Sequence, residues 1–205
     1  MERPSLYCSG ELGRIFLDGV QEVIGGGDLH AILEKAGIWA AAGAVTRDEE
    51  DKPLSYEQFT ALQQALEESY GSRAGHGIAL RAGRSAYRYL LRQFTGQLGV
   101  TGLEYRLLPT PNRLHIGLQS LARTISNNWA GRVSVQETDL SWVWTLEDSP
   151  WSRQPAGDEP VCHFVAGMVQ EFMAWVSGGR FYPVNECQPC EAAGCRIEIS
   201  KQPID

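Results

Sequence analysis

The sequence has no apolar run approaching the ~18 residues of a membrane-spanning helix, and no low-complexity tract, so an ordinary globular chain is expected. Met1 to Gly10 lacks the basic stretch and apolar core of a secretory signal, which points to a soluble cytoplasmic domain. There is no Gly-x-Ser-x-Gly, no phosphate loop and no dinucleotide fingerprint, so no nucleophile motif and no nicotinamide or flavin site is evident. Lysine is scarce, with three against fifteen arginines. Cysteine is missing between Cys8 and Cys162, and the other three, Cys187, Cys190 and Cys195, crowd the C-terminal end. Without a secretory signal, that cluster points to metal or thiol chemistry more than to a disulfide framework.

What is present suits one domain over residues 1–205. Hydrophobic residues make up 43% of the chain and charged ones 21%, enough for a single core. The net charge of −7 argues against general nucleic-acid binding. Residues 72–132 nevertheless carry nine arginines against the single acid Glu104. Arg81, Arg84, Arg88 and Arg92 recur at helical spacing, with Tyr87 and Tyr89 between them. No acid at i+4 relieves their repulsion, so the row reads as a solvated face or as a surface for an anionic ligand or acidic partner protein.

Residues 1–130 read as mainly helical. Leu12, Phe16, Val20 and Val23 share a helix face up to Gly25-Gly26-Gly27, and Asp28 is an expected N-cap for Leu29 to Ala36. Ser55 and Gln58 form a capping box ahead of the stripe Tyr56, Phe59, Leu62, Leu66 and Tyr70. A longer helix is expected over Gly77 to Gln97, and Thr110-Pro111 opens another that runs to Trp129. From Gly131 the period changes to two. Val133 to Glu137 and Leu140 to Leu146 predict a hairpin turning at Thr138-Asp139. Val161 to Val176 predicts a helix, and Arg180 to Glu186 and Cys195 to Lys201 predict two strands. The expected fold is therefore α+β. Its N-terminal helices pack on a four-stranded antiparallel sheet, and residues 131–201 run strand, strand, helix, strand, strand.

The segment Glu186-Cys187-Gln188-Pro189-Cys190, with Cys195 beyond it, carries the most chemistry. A Cys-x2-Cys pair can aim two thiolates at one metal, and zinc is preferred for such sulfur or mixed sulfur–carboxylate sets. Buried inert thiols, a disulfide and an iron–sulfur cluster are the other readings. Cys162-His163-Phe164, Gly167, Gly178-Gly179, Glu186, Cys190, Gly194 and Cys195 to Ile199 together resemble the 4-vinyl reductase, or hydrocarbon-binding, domain family. That family is similar in fold to subunits of the transport protein particle. The resemblance implies zinc ligands at Cys162, Glu186, Cys190 and Cys195, with Cys187 as a competing ligand, and it implies a homodimer. Because family members occur in tetrapyrrole synthesis and photosynthetic assembly, it also implies a role there.

The resemblance places a small-molecule site between sheet and helices. Trp129, Trp142, Trp144, Phe164, Met168, Phe172 and Trp175 supply apolar walls, and His163 is either a polar anchor or an ordinary first-turn residue. The reading is a non-catalytic domain that binds a hydrophobic or aromatic small molecule, with a tetrapyrrole as one candidate. Two other classes remain open: an assembly factor that docks a protein through its arginine face, and an accessory subunit of a vinyl-group reductase.

Overall fold

The computed structural model describes residues 7–38, 54–129, 131–147, 162–190 and 194–204, with 185–190 described by backbone alone. In chain order the elements are α1 (Gly10–Ile24), α2 (Gly26–Lys35), α3 (Tyr56–Tyr70), α4 (Ser72–Gln93), α5 (Thr95–Leu98), α6 (Leu103–Leu107) and α7 (Thr110–Asn127). They are followed by β1 (Arg132–Glu137), β2 (Ser141–Glu147), α8 (His163–Ser177), β3 (Val184–Cys190) and β4 (Gly194–Ser200). The class is α+β, as the change of period at Gly131 indicates.

Local chemistry fixes the helix starts. The Ser9 hydroxyl accepts from the Leu12 amide at 3.2 Å and opens α1. Ser55 accepts from the Gln58 amide at 3.2 Å while the Gln58 side chain accepts from the Ser55 amide at 2.8 Å, which completes the expected capping box. Ser55→Ala should cost about 1 kcal/mol in a urea melt, and Ser55→Gly only a few tenths.

Other boundaries move. Gly25 and Gly71 both have φ +84°, so each breaks the chain direction and a new helix begins immediately behind it. Asp28 therefore sits in the first turn of α2, not at its cap, and accepts from the Tyr70 hydroxyl at 3.0 Å. For the same reason α4 begins at Ser72 instead of Gly77, and it ends at Gln93 with Phe94 as its C-cap. β3 begins at Val184 instead of Arg180, because Phe181 makes only an isolated bridge to Ile204.

The sheet order is β1-β2-β4-β3, with antiparallel neighbours. Its register lines up three buried rows: Val133, Leu146 and Cys195; Val135, Trp144 and Ile197; Glu137, Trp142 and Ile199. Only Val135 and Glu137, on the edge strand β1, escape full burial in these rows. α7 packs on β1 and α8 on β3.

On the helical side α4 is clamped between α1 and α8, and small residues set the distance. A Cβ on Gly83 would stand 1.9 Å from the Phe164 carbonyl oxygen, and one on Gly167 would stand 1.9 Å from that of Leu80. On the opposite side a Cβ on Gly19 would meet the Ala82 carbonyl at 2.5 Å. A disulfide joins Cys162, at the head of α8, to Cys195 at the start of β4, with Cα atoms 6.6 Å apart.

Candidate functional site

Four helical segments converge on one apolar cavity. α1 contributes Leu12 and Phe16, α3 contributes Phe59, and α7 with its C-terminal extension contributes Ile125 and Trp129. α8 closes it with Phe164, Val165 and Met168. The stripe periodicities of α1 and α3 bury these residues. The N-terminal strand residues hold the ends together, since Cys8 bridges Trp129 and the Ser9 amide donates to the Asn128 carbonyl at 2.8 Å.

Rings occupy most of the space. Phe16 meets Phe59 edge-on at 4.6 Å and Phe164 at 4.3 Å, while Phe59 stacks on Trp129 at 6.1 Å. The remaining cavity measures ≈ 10 Å³, room for about one water. Among the described residues no polar atom faces it, so water gains little by entering.

Next to this cavity lies a polar group. His163 precedes Phe164, and its ring meets that of His76 of α4 at 4.3 Å with the planes tilted by 31°. His76 Nε2 is 3.3 Å from Glu67, which accepts from the buried Gln63 at 2.7 Å. Phe59, Gln63 and Glu67 are spaced by four on α3, so one face of that helix runs from the cavity wall to this group.

The sequence-predicted residues separate accordingly. Trp129, Phe164 and Met168 line the cavity, and His163 adjoins it. Phe172 packs on Tyr87 at 5.8 Å, away from the lining, and Trp175 stands 40% exposed beside the same tyrosine. Trp142 and Trp144 belong to the buried sheet rows, with Trp142 edge-on to Tyr182 at 6.3 Å. Leu12, Phe16, Phe59, Ile125 and Val165 are lining residues that sequence reasoning assigned to plain core stripes or did not single out.

Arg81, Arg88 and Arg92 of the arginine row are exposed, and Arg84 is half-buried. Arg84 donates to Gln170 of α8 at 2.8 Å and lies over Phe181 at 5.4 Å. Arg88 pairs with Glu22 of α1, and Arg81 donates to the Gly77 carbonyl at 3.3 Å. Arg92 is exposed in the last turn of α4.

The expected zinc set fares differently. Cys162 and Cys195 are bonded to each other, which takes both thiolates from any metal. Among the described residues no group of three or more His, Cys, Asp or Glu side chains could hold an ion, so zinc finds no support. The side chains of Glu186, Cys187 and Cys190 lie outside the described residues. Cys8 is buried and free, and burial pushes its thiol up to about 11, so it is an unreactive core group.

A charged cluster ties α7 to the sheet edge. Glu137 lies 2.7 Å from the Lys201 ammonium and also pairs with His115, whose other ring nitrogen is 3.2 Å from Gln119. Lys201, then His115, hold the Glu137 carboxyl below its ordinary 4.5. A carboxylate lowered in this way stabilises the fold above its unfolded value and loses that contribution as pH falls through the folded one. Stability should thus drop below about pH 4.5, and Glu137→Gln should flatten that part of a pH–stability curve. The effect will be small, because the pair is partly exposed.

Comparison with known proteins gives a fold. No family model matches the chain, and no curated protein matches it. Solved structures of H-NOX domains do. One, from work on haem distortion in the H-NOX family, superposes with TM-score 0.61 at 11% identity, covering 96% of each chain. An oxygen-binding H-NOX domain related to soluble guanylate cyclases gives 0.57 at 12%, again over 96% of both. A third, from work on the molecular mechanism of H-NOX activation, gives 0.54 at 13%, over 93% of this chain and 95% of that one.

The resemblance to the 4-vinyl reductase family is thereby overturned: the structural neighbours are H-NOX domains, and no family model supports the other assignment. Two of the cysteines that carried it, Cys162 and Cys195, are explained by their bond to each other. The homodimer and the photosynthetic-assembly role rested on that resemblance alone and lose their support with it.

Proposed function

We propose that this chain, which shares the H-NOX fold, is a non-catalytic binding domain for an apolar, ring-bearing small molecule, taken up between α1, α3, α7 and α8. The carrying observation is the cavity wall: eight apolar residues, four of them aromatic, drawn from segments far apart in sequence. Planar rings pack well against such walls. Without an acid, a base or a nucleophile in the lining, the pocket can hold and orient a ligand but supplies no group for proton transfer.

The H-NOX likeness raises haem as a ligand, and the residues present do not fit it. Ligand pockets usually measure about 300–1,000 Å³, far above the ≈ 10 Å³ found here. Haem iron also needs an axial ligand, most often histidine, cysteine or methionine. Among the described residues, Met168 is the one lining residue that carries such a donor atom, and no histidine reaches the lining. The broader tetrapyrrole expectation meets the same lack of room. A single-ring apolar ligand also exceeds ≈ 10 Å³ and enters only where a lining ring gives up its place.

Native mass spectrometry of freshly purified protein, with organic extraction of the same sample and a haemin titration, tests the proposal. A co-purifying apolar ring compound, and no Soret shift with haemin, is expected. Stoichiometric haemin binding with a sharp Soret band would overturn it.

A further inference from the structure

We infer that Phe16 is the plug of this pocket: its ring stands where the apolar body of a ligand goes, and its displacement sets both the size admitted and the rate of entry. The inference rests on the binding function proposed above and adds the residue that limits it.

Phe16, like Phe59, has its ring against rings from two other segments, and the two neighbours of Phe16 stand on the facing helices α3 and α8. Phe59 of α3 meets it at 4.6 Å with the planes at 76°, and Phe164 of α8 meets it at 4.3 Å at 54°. The second distance falls just short of the usual range of about 4.5–7 Å. Phe16 therefore props α3 and α8 apart through its side chain and fills the space between them.

The backbone behind Phe16 cannot retreat to make room. Three residues further along α1, Gly19 lies so close to α4 that a Cβ there would be 2.5 Å from the Ala82 carbonyl oxygen. α4 in turn is held against α8 at Gly83 and Gly167. Helix α1 is thus fixed against a fixed partner, and the freedom left at this point is rotation of the Phe16 side chain. A helical aromatic residue has two well-populated χ1 settings, near 180° and −60°. Moving between them shifts the ring without moving the helix.

The ring's own volume then sets the ligand class. Emptying one large side chain from an apolar core leaves a space of the order of ~150 Å³, which takes benzene. One apolar ring can enter when Phe16 swings aside, whereas a two-ring molecule needs the side chain removed. A macrocycle exceeds either space.

The test uses the full chain and two probes, 4-fluorotoluene and 1-fluoronaphthalene, followed by fluorine NMR for affinity and exchange rate. Wild type should bind fluorotoluene with slow exchange and should not bind fluoronaphthalene. Phe16→Ala should bind fluorotoluene at least tenfold tighter, exchange it faster and admit fluoronaphthalene. Phe16→Trp should lose both. Leu29→Ala empties a buried site outside the pocket lining and by the same rule takes a ring there, but that binding should leave the carbon-13 methyl resonance of the lining residue Met168 unmoved, whereas binding to Phe16→Ala should shift it.

Equal Met168 shifts on probe binding to Leu29→Ala and to Phe16→Ala would overturn the plug, because the ligand would then not occupy the space that Phe16 fills. Undiminished binding by Phe16→Trp would overturn it too. In both cases the wild-type pocket stands if wild type binds fluorotoluene. Failure of every variant to bind either probe removes the pocket itself, and the plug with it. Should Phe16→Ala not fold, Phe16→Leu carries the same comparison with a smaller expected gain.

Discussion

Gly167→Ala should lower the melting temperature by roughly 6–12 °C, and Gly83→Ala should do the same. At each position the new methyl would stand 1.9 Å from a backbone carbonyl oxygen of the facing helix, Leu80 or Phe164. A flexible side chain could yield, but a hydrogen-bonded helix backbone cannot move alone, so α4 and α8 must separate along their length. Overpacking of this kind sits at the upper end of the usual penalty, about 3 kcal/mol. For a chain of this size each kcal/mol shifts the transition by about 2–4 °C. Gly77→Ala is the internal control. Its Cβ meets nothing within 4 Å, so alanine there should be neutral or stabilise by up to about 1 kcal/mol through lost backbone freedom. Circular-dichroism melts of the three variants decide the matter. A Gly167→Ala protein that melts with wild type would refute the close crossing.

The second large effect concerns the covalent link between α8 and β4. Cys162 and Cys195 are 33 residues apart in sequence. Closing a loop of that length removes enough unfolded-state entropy to stabilise the fold by about 4 kcal/mol, with measured bridges commonly giving about 2–4. Cys195→Ser should therefore unfold at a clearly lower denaturant concentration than oxidised wild type. Wild type kept in dithiothreitol should fall to the same midpoint, and dithiothreitol should not weaken the variant further. Identical midpoints for oxidised and reduced wild type would show that the bridge contributes nothing. Because Phe164 and Val165 lie in the first turn of α8, just beyond Cys162 and His163, the same break loosens the α8 wall of the pocket.

What the sequence makes legible is short-range chemistry. The Ser55–Gln58 capping box, the Thr110-Pro111 helix start and the hairpin at Thr138 all depend on residues within a few positions of each other. Helix boundaries at Gly25 and Gly71 are harder to read: the run Gly25-Gly26-Gly27 shows that the chain turns but not which glycine takes the positive φ, and the lone Gly71 shows a stop but not that a helix begins directly behind it. The pocket lies at a further remove. Periodicity puts Phe16 on the buried face of α1 and Phe59 on that of α3, but it does not say that these faces meet each other and Phe164. That follows from the small residues Gly19, Gly83 and Gly167, which let three helices approach closely, and such glycines read in the sequence as helix weakeners.

The arginine row shows the same limit. Its spacing on α4 is as expected, yet Glu22 comes from α1 and Gln170 from α8, so Arg88 and Arg84 find partners that no i+4 rule can supply. Trp142 and Trp144 likewise read as candidates for a ligand wall, whereas the strand register commits them to rows of the buried sheet face. The cysteine cluster is readable as thiol or metal chemistry. Its pairing needs the three-dimensional contact between the head of α8 and β4.

The most direct test of the pocket uses its methionine. The chain has three methionines, Met1, Met168 and Met173. Met168 lines the cavity, while Met173 is buried outside the lining. With carbon-13 in the methionine methyl groups, titration with 4-fluorotoluene reads the site residue by residue. Ring currents from a bound probe should move the Met168 methyl resonance and leave Met173 close to its free position. An unmoved Met168, or equal shifts at both, would contradict a ligand site between α1, α3, α7 and α8.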